Sequence, residues 1–213
     1  MRIALCIALL SFGTGAFAQD QNLPDIRNKR ESFAKYPKGE IRDDLATFAI
    51  GGVDERLGKS PLEKLPATDY TINSITWESP NIKVIVTQKR FEPSKHKLQY
   101  YYDNKYLVKI DNKPFYGDYG AVPTHEITSV VVVIDKDTIP IPATAYSDLY
   151  HPEFIYHDEA GTIRTRNGAF LSADKKKLYI YMLNSETVGK YEVTWIIQDK
   201  KYVGRVIDSG LLN

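Results

Sequence analysis

The sequence predicts a mainly β protein: an antiparallel β-sandwich of the immunoglobulin-like or jelly-roll type, with a short irregular N-terminal arm. Three observations predict it. From Tyr70 onward apolar residues recur with a period of two, the pattern of strands with one buried face. About a dozen such segments follow one another, with turn residues every eight to twelve positions. No long segment with a 3.6-residue period interrupts them.

The elements can be justified in order. Residues 1–18 have the three-part layout of a secretory signal: Met1-Arg2, an apolar run from Ile3 to Leu10, and Ala16-Phe17-Ala18 as an A-x-A cleavage site. Cleavage after Ala18 is expected, with a periplasmic or secreted product. The apolar run is far shorter than the roughly 20 residues needed to span a bilayer, and no later run approaches that length, so no stable membrane insertion is expected. Residues 19–68 form a leader and arm, charged and broken by Pro24, Pro37, Pro61 and Gly51-Gly52. Within it, Ile26 to Phe33 suits a short helical stretch and Leu45 to Val53 a strand.

Residues 69–213 form the expected sandwich domain. Ile72–Trp77 and Asn81–Phe91 are strands flanking a Ser79-Pro80 break. Leu98, Tyr100 and Tyr102 share a strand face, which pairs with Lys105–Ile110 across a two-residue Asp103-Asn104 turn. Val130–Ile134 is apolar at every position, which predicts a central strand covered on both sides. Asp135-Lys136-Asp137 turns it into Thr138–Ile141, and Pro140 and Pro142 confine that partner to a sheet edge. Six strands end the chain: Glu153–His157, Thr162–Arg166, Ala169–Ser172, Lys177–Leu183, Lys190–Ile197 and Lys201–Ile207. Asn167-Gly168 is the strongest short hairpin signal among them. Leu178, Ile180 and Met182 should face one way, and Tyr191, Val193, Trp195 and Ile197 should form a second apolar face.

Composition narrows the chemistry. The only cysteine, Cys6, lies in the signal, so the mature chain has no disulfide, thiolate nucleophile or cysteine-held zinc. Loss of Arg2 leaves 27 basic against 27 acidic residues, a neutral balance that disfavours nucleic acid as a partner. Gly52 to Ser60 superficially follows a phosphate-binding loop, but five residues separate its glycines instead of four, and Asp54 and Glu55 would face the phosphates. There is no G-x-S-x-G elbow. No cofactor is expected.

Two constellations remain. His151, Glu153 and His157 would point to one side of an extended strand and could hold a metal ion, with Asp148, Asp158 or Glu159 completing the shell. The simpler reading is a solvent-facing edge strand, since His151 and His157 would stand roughly 20 Å apart along it. The second is aromatic. The chain holds 15 tyrosines, with local concentrations at Tyr100-Tyr101-Tyr102 and Phe115-Tyr116-Gly117-Asp118-Tyr119-Gly120. Strand burial absorbs Tyr100 and Tyr102, whereas loop placement favours a binding role for Tyr116, Asp118 and Tyr119. The expected function is an exported, soluble, non-catalytic module that binds a protein or a glycan through loop aromatics. The competing expectation is a secreted hydrolase, metal-assisted through His151, Glu153 and His157.

Overall fold

A computed structural model describes residues 40–45, 62–118, 120–184 and 189–209. The expected signal, the leader helix and the body of the 45–53 strand lie outside them. In chain order the elements are α1 (Glu40–Leu45), β1 (Glu63–Lys64), β2 (Ala67–Tyr70), β3 (Ser74–Ser79), β4 (Ile82–Arg90), β5 (Leu98–Tyr101), β6 (Tyr106–Ile110), β7 (His125–Ile134), β8 (Asp137–Ile139), β9 (Tyr156–His157), β10 (Ile163–Arg164), β11 (Gly168–Leu171), β12 (Lys177–Asn184), β13 (Tyr191–Gln198) and β14 (Lys201–Asp208). The protein is mainly β, and every pairing between these strands is antiparallel.

Two five-stranded sheets dominate, ordered β1-β11-β12-β13-β14 and β2-β3-β4-β7-β8, with the hairpins β5-β6 and β9-β10 as separate two-stranded sheets. The large sheets contribute to one apolar cluster. Trp77, Val84, Val86, Val130 and Val132 come from the second sheet, and Ile180, Met182, Val193, Trp195 and Ile207 from the first. Alternation explains the sorting, because each strand turns every second side chain to that cluster. Leu178, Ile180 and Met182 do share a face. Tyr191, Val193, Trp195 and Ile197 join the same cluster instead of forming a second one, because Ile180 pairs with Trp195 and Met182 with Val193.

The outer face of β12 and β13 is covered too. Tyr179, Tyr181, Leu183 and Ile196 pack under Leu45 of α1, with Ile41 and Leu62 beside them. All eight residues of β12 are buried as a result. The strand expected to be covered on both faces, Val130–Ile134, is not: Val131 is 36% exposed. Nothing among the described residues lies over that face, although β7 is internal to its sheet. The proline reading of β8 holds, since it is the edge strand.

Asn167-Gly168 makes no hairpin. Asn167 is fully buried; its amide donates to the Glu153 carbonyl at 2.7 Å, and its side-chain oxygen accepts from Leu183 N at 2.9 Å. It satisfies backbone groups from two neighbouring segments, and burial makes that demand stronger than local turn preference. Gly168 then opens β11, where an added Cβ would stand 2.7 Å from the Phe170 ring.

The two sheets are also tied through the segment after β8. Asp148 accepts two parallel bonds from Arg205 of β14, Nη1 to Oδ1 and Nη2 to Oδ2, each 2.6 Å. Ala145 O accepts from both Trp195 Nε1 and Arg205 Nη1. Arg205→Leu should lower the unfolding free energy by about 2 kcal/mol in urea titrations, because the half-buried Asp148 would lose its paired donor. Adding Asp148→Leu should restore most of that loss; a double variant no better than the single one would refute the pairing account.

Candidate functional site

The residues with chemical capacity gather where β7 begins. The segment Asp148–His151 runs between two neighbours there. Tyr116 N donates to Asp148 O and Tyr150 N to Tyr116 O, both 2.9 Å, on one side. On the other, Glu126 bridges Tyr150, and His151 N donates to His125 O at 2.9 Å. Two stretches far apart in sequence, Phe115–Asp118 and Asp148–His151, thereby meet. Gly117 is required at this crossing: its φ is +87°, and a Cβ would lie 2.2 Å from Tyr150 O.

His151 has a left-handed backbone, φ 51°, which breaks the extended strand that would have lined it up with Glu153 and His157. Histidine tolerates this conformation better than most residues. Asn184 Nδ2 holds its carbonyl at 2.7 Å. Its Nδ1 lies 3.0 Å from Asp118 Oδ2 and 2.8 Å from Thr124 Oγ1, and the same hydroxyl is 3.0 Å from His125 Nδ1. The His125 and His151 rings meet edge to face, 6.4 Å between centroids.

Proton bookkeeping fixes one role. A carboxylate only accepts, so His151 Nδ1 must carry a proton toward Asp118 and Thr124. The Thr124 hydroxyl, which can both donate and accept, joins the two imidazoles through their Nδ1 atoms. Desolvation, with the charges of His151 and Arg90 beside it, holds the His125 pKa below the usual imidazole range, against a smaller opposing pull from Asp118. A hydroxyl–imidazole–carboxylate relay needs its partners on opposite ring nitrogens. Here Thr124 and Asp118 share one nitrogen, and the set does not form that relay.

A second cluster lies on the other side of β7. His96 stacks on Phe91 and faces Asp111 through Nδ1 at 2.7 Å and Glu126 through Nε2 at 3.7 Å. The bond from His96 and the backbone amide of Lys97 hold the Asp111 carboxyl below its ordinary range. Phe91, Leu107, Ile110, Phe115 and Tyr150 form the small core beneath. Burial, then Glu126, pushes the Tyr150 phenol far up, so it remains neutral.

The structure does not bring His151, Glu153 and His157 together. Glu153 takes Arg166 at 2.9 Å, and His157 is an exposed residue of β9 paired with Ile163. No group of three potential ligands able to hold a metal ion occurs among the described residues. Tyr116 is half-buried and meets Tyr191 at a centroid distance of 6.2 Å; Asp118 is half-buried against His151; Tyr119 lies outside the described residues.

Sequence reasoning missed the tip of the β5-β6 hairpin. Tyr100, Tyr101, Tyr102 and Tyr106 are 39, 69, 65 and 46% exposed, so strand burial does not absorb Tyr100 and Tyr102. Tyr102 belongs to a longer turn, Tyr102–Lys105, closed by Lys105 N to Tyr102 O at 2.9 Å. Tyr102, Asp103 and Asn104 all have positive φ there. Tyr101 pairs directly with Tyr106, on the face opposite Leu98, Ile110 and Leu107, which hold the hairpin base in the small core. The signal in the sequence was the triple tyrosine itself, next to a turn too polar to carry a buried strand.

At the far end of the large sheets, turns from both surround an open cleft of about 540 Å³ floored by Ile82, Ile134, Leu171 and Leu178. Its rim is largely self-paired, with Lys200 on Asp135 and Asp137 and Lys175 on Glu63.

Comparison with protein-family models, characterised proteins and solved structures finds no match for this chain. The functional reading therefore rests on the residues.

Two outcomes follow for this region. Gly117→Ala should destabilise by about 2 kcal/mol or more, from positive φ and the clash with Tyr150 O, and should appear as a lowered thermal midpoint; an unchanged midpoint would contradict the crossing. His125 has a lowered pKa, so the unfolded chain binds its proton first. Its contribution is present above pH 6.5 and is lost as pH falls through the folded value. Denaturation midpoints should drop from neutral pH to about pH 5, more steeply than in His125→Gln. Equal slopes would refute the assignment.

Proposed function

We propose that the chain is an exported binding module without catalytic chemistry of its own, meeting a glycan or protein partner through the β5-β6 hairpin. One observation carries this. The only aromatic side chains exposed among the described residues are the four tyrosines of that hairpin. Most of the other described aromatics pack in or against cores, so these four represent apolar surface left uncovered at one place. Flat rings with a polar tip suit stacking on sugar faces or packing into a partner's pocket.

Support comes from how the hairpin is held. Its base is fixed by the small core, and Leu107 N donates to Gly120 O at 3.0 Å. The loop bearing Tyr116, Asp118 and Tyr119 is then the flank of the binding surface, with Tyr116 and Asp118 bracing it. The signal layout of residues 1–18 supports export to the periplasm or beyond. The apolar cluster shared by the two large sheets supports a sandwich arrangement. Neighbours within each sheet mostly follow chain order, so the sandwich would be built from two meanders, with β1 added to one edge.

The test is a glycan array probed with the chain from Gln19 onward and with Tyr101→Ala/Tyr106→Ala. Both proteins should melt at similar temperatures, and the double variant should lose about tenfold or more of the signal. Equal signals from both proteins would overturn the hairpin assignment. Turnover of a bound glycan would overturn the non-catalytic reading.

A further inference from the structure

We infer that the partner taken by this hairpin is an anionic polysaccharide, an inference that rests on the binding reading above. The stretch Lys89–Lys113 holds seven lysines and arginines against three acids. Two of the cations have partners: Lys89 on Glu126 and Lys95 on Glu92. Lys97, Lys105, Lys109 and Lys113 are exposed, and among the described residues no carboxylate lies within ion-pair distance of any of them. Lys105 Nζ sits 5.5 Å from the Tyr106 ring centroid, and the strand register puts Lys109 on the same face as Tyr101 and Tyr106. Two exposed cations, Lys105 and Lys109, therefore lie beside the rings of Tyr101 and Tyr106.

The next stretch shows the reverse. Pro114–Ala160 holds eight acids and one lysine, but those acids are mostly engaged. Asp148 binds Arg205, Glu153 binds Arg166, Asp158 binds Arg164, Asp135 and Asp137 bind Lys200, and Asp118 faces His151. Most of those acids have ion-pair partners within the molecule, whereas the four lysines in and beside the hairpin have none among the described residues. That asymmetry argues against the hairpin docking on the acidic stretch of a second copy. A chain of carboxylated or sulfated sugars offers both of the required features, repeating apolar ring faces and repeating negative charge. A neutral glycan would leave the four lysines without a role, and a flexible acidic peptide would leave the rings without flat partners.

The test is calorimetric titration of the chain from Gln19 onward with polygalacturonate, dextran and oligothymidylate, at low and high salt, beside sedimentation of the protein alone. Polygalacturonate should bind and dextran should not. Salt should weaken binding by screening the exposed charges. Lys105→Glu/Lys109→Glu and Tyr101→Ala/Tyr106→Ala should each weaken it by about tenfold or more while melting normally. Binding to dextran that Tyr101→Ala/Tyr106→Ala abolishes would keep the hairpin as a binding edge and overturn the anionic class. Tighter binding to oligothymidylate would replace the polysaccharide with single-stranded nucleic acid. Self-association lost on Lys105→Glu/Lys109→Glu would replace it with a second copy. Variants that change nothing would overturn the hairpin reading and this inference together, and no binding to polygalacturonate would overturn this inference.

Discussion

The grip of Arg205 on Asp148 is the constraint on which the segments meeting at the start of β7 depend. Arg205 belongs to β14, at the edge of one large sheet, and Asp148 to the segment that leaves β8, at the edge of the other. Two charges held this far from water lose several kcal/mol of hydration each, and bidentate geometry is what makes their attraction competitive. Once Asp148 is fixed, the register of the next three residues is fixed with it. Leu149 bridges Tyr116, Tyr150 bridges Glu126, and His151 reaches His125 O. Tyr191 closes the arrangement by donating to Tyr150 O at 3.1 Å. The imidazoles, the Gly117 crossing and the ring of Tyr150 inherit their positions from one salt bridge.

Tyr150 carries that order outward. Its ring meets Phe91 and Phe115 edge to face and lies with Leu107 and Ile110 in the small core. An isolated two-stranded hairpin is marginal in water. Here β5-β6 is anchored at its base by that cluster and by the Leu107–Gly120 bridge, so its tip can stand free of further packing. Exposure of Tyr101 and Tyr102 is then affordable in stability terms because the fold does not rely on them. Packing is concentrated at the base, and the exposed rings stand at the tip.

The strands were legible because a period of two survives in any sheet with one dry face. What the sequence could not show is which faces are dry. Val130–Ile134 has a more uniformly apolar pattern than Lys177–Asn184, yet the latter is the strand buried on both sides. Its cover, α1, lies more than a hundred residues away and includes Leu45, which reads locally as the start of a strand. Asn167-Gly168 failed in the same way: the local preference was for a turn, and distant carbonyl and amide groups claimed the side chain. His151 and Glu153 stand out in the sequence as close polar neighbours, but one left-handed residue sends them to different partners. Asp118 drew notice in the sequence; its neighbours Thr124 and His125 did not, because only the meeting of three segments joins them.

Charge gives the sharpest case of a sum misleading where a distribution informs. The whole chain has a formal charge of +1, and near-neutrality argues against attraction to polyanions only if charge is spread evenly. Screening limits each exposed charge to a radius of about 8 Å at physiological salt, so a partner touching the hairpin feels its neighbours and not the far sheets. Within that radius the acids of Pro114–Ala160 count for little, since most are already paired with arginine, lysine or histidine. In Lys97–Lys113 four exposed lysines stand against Asp103 and Asp111, and Asp111 is already bonded to His96, so the local balance is cationic. A nearly neutral molecule can thus present a cationic edge, and the edge it presents is the one that also leaves its tyrosines uncovered.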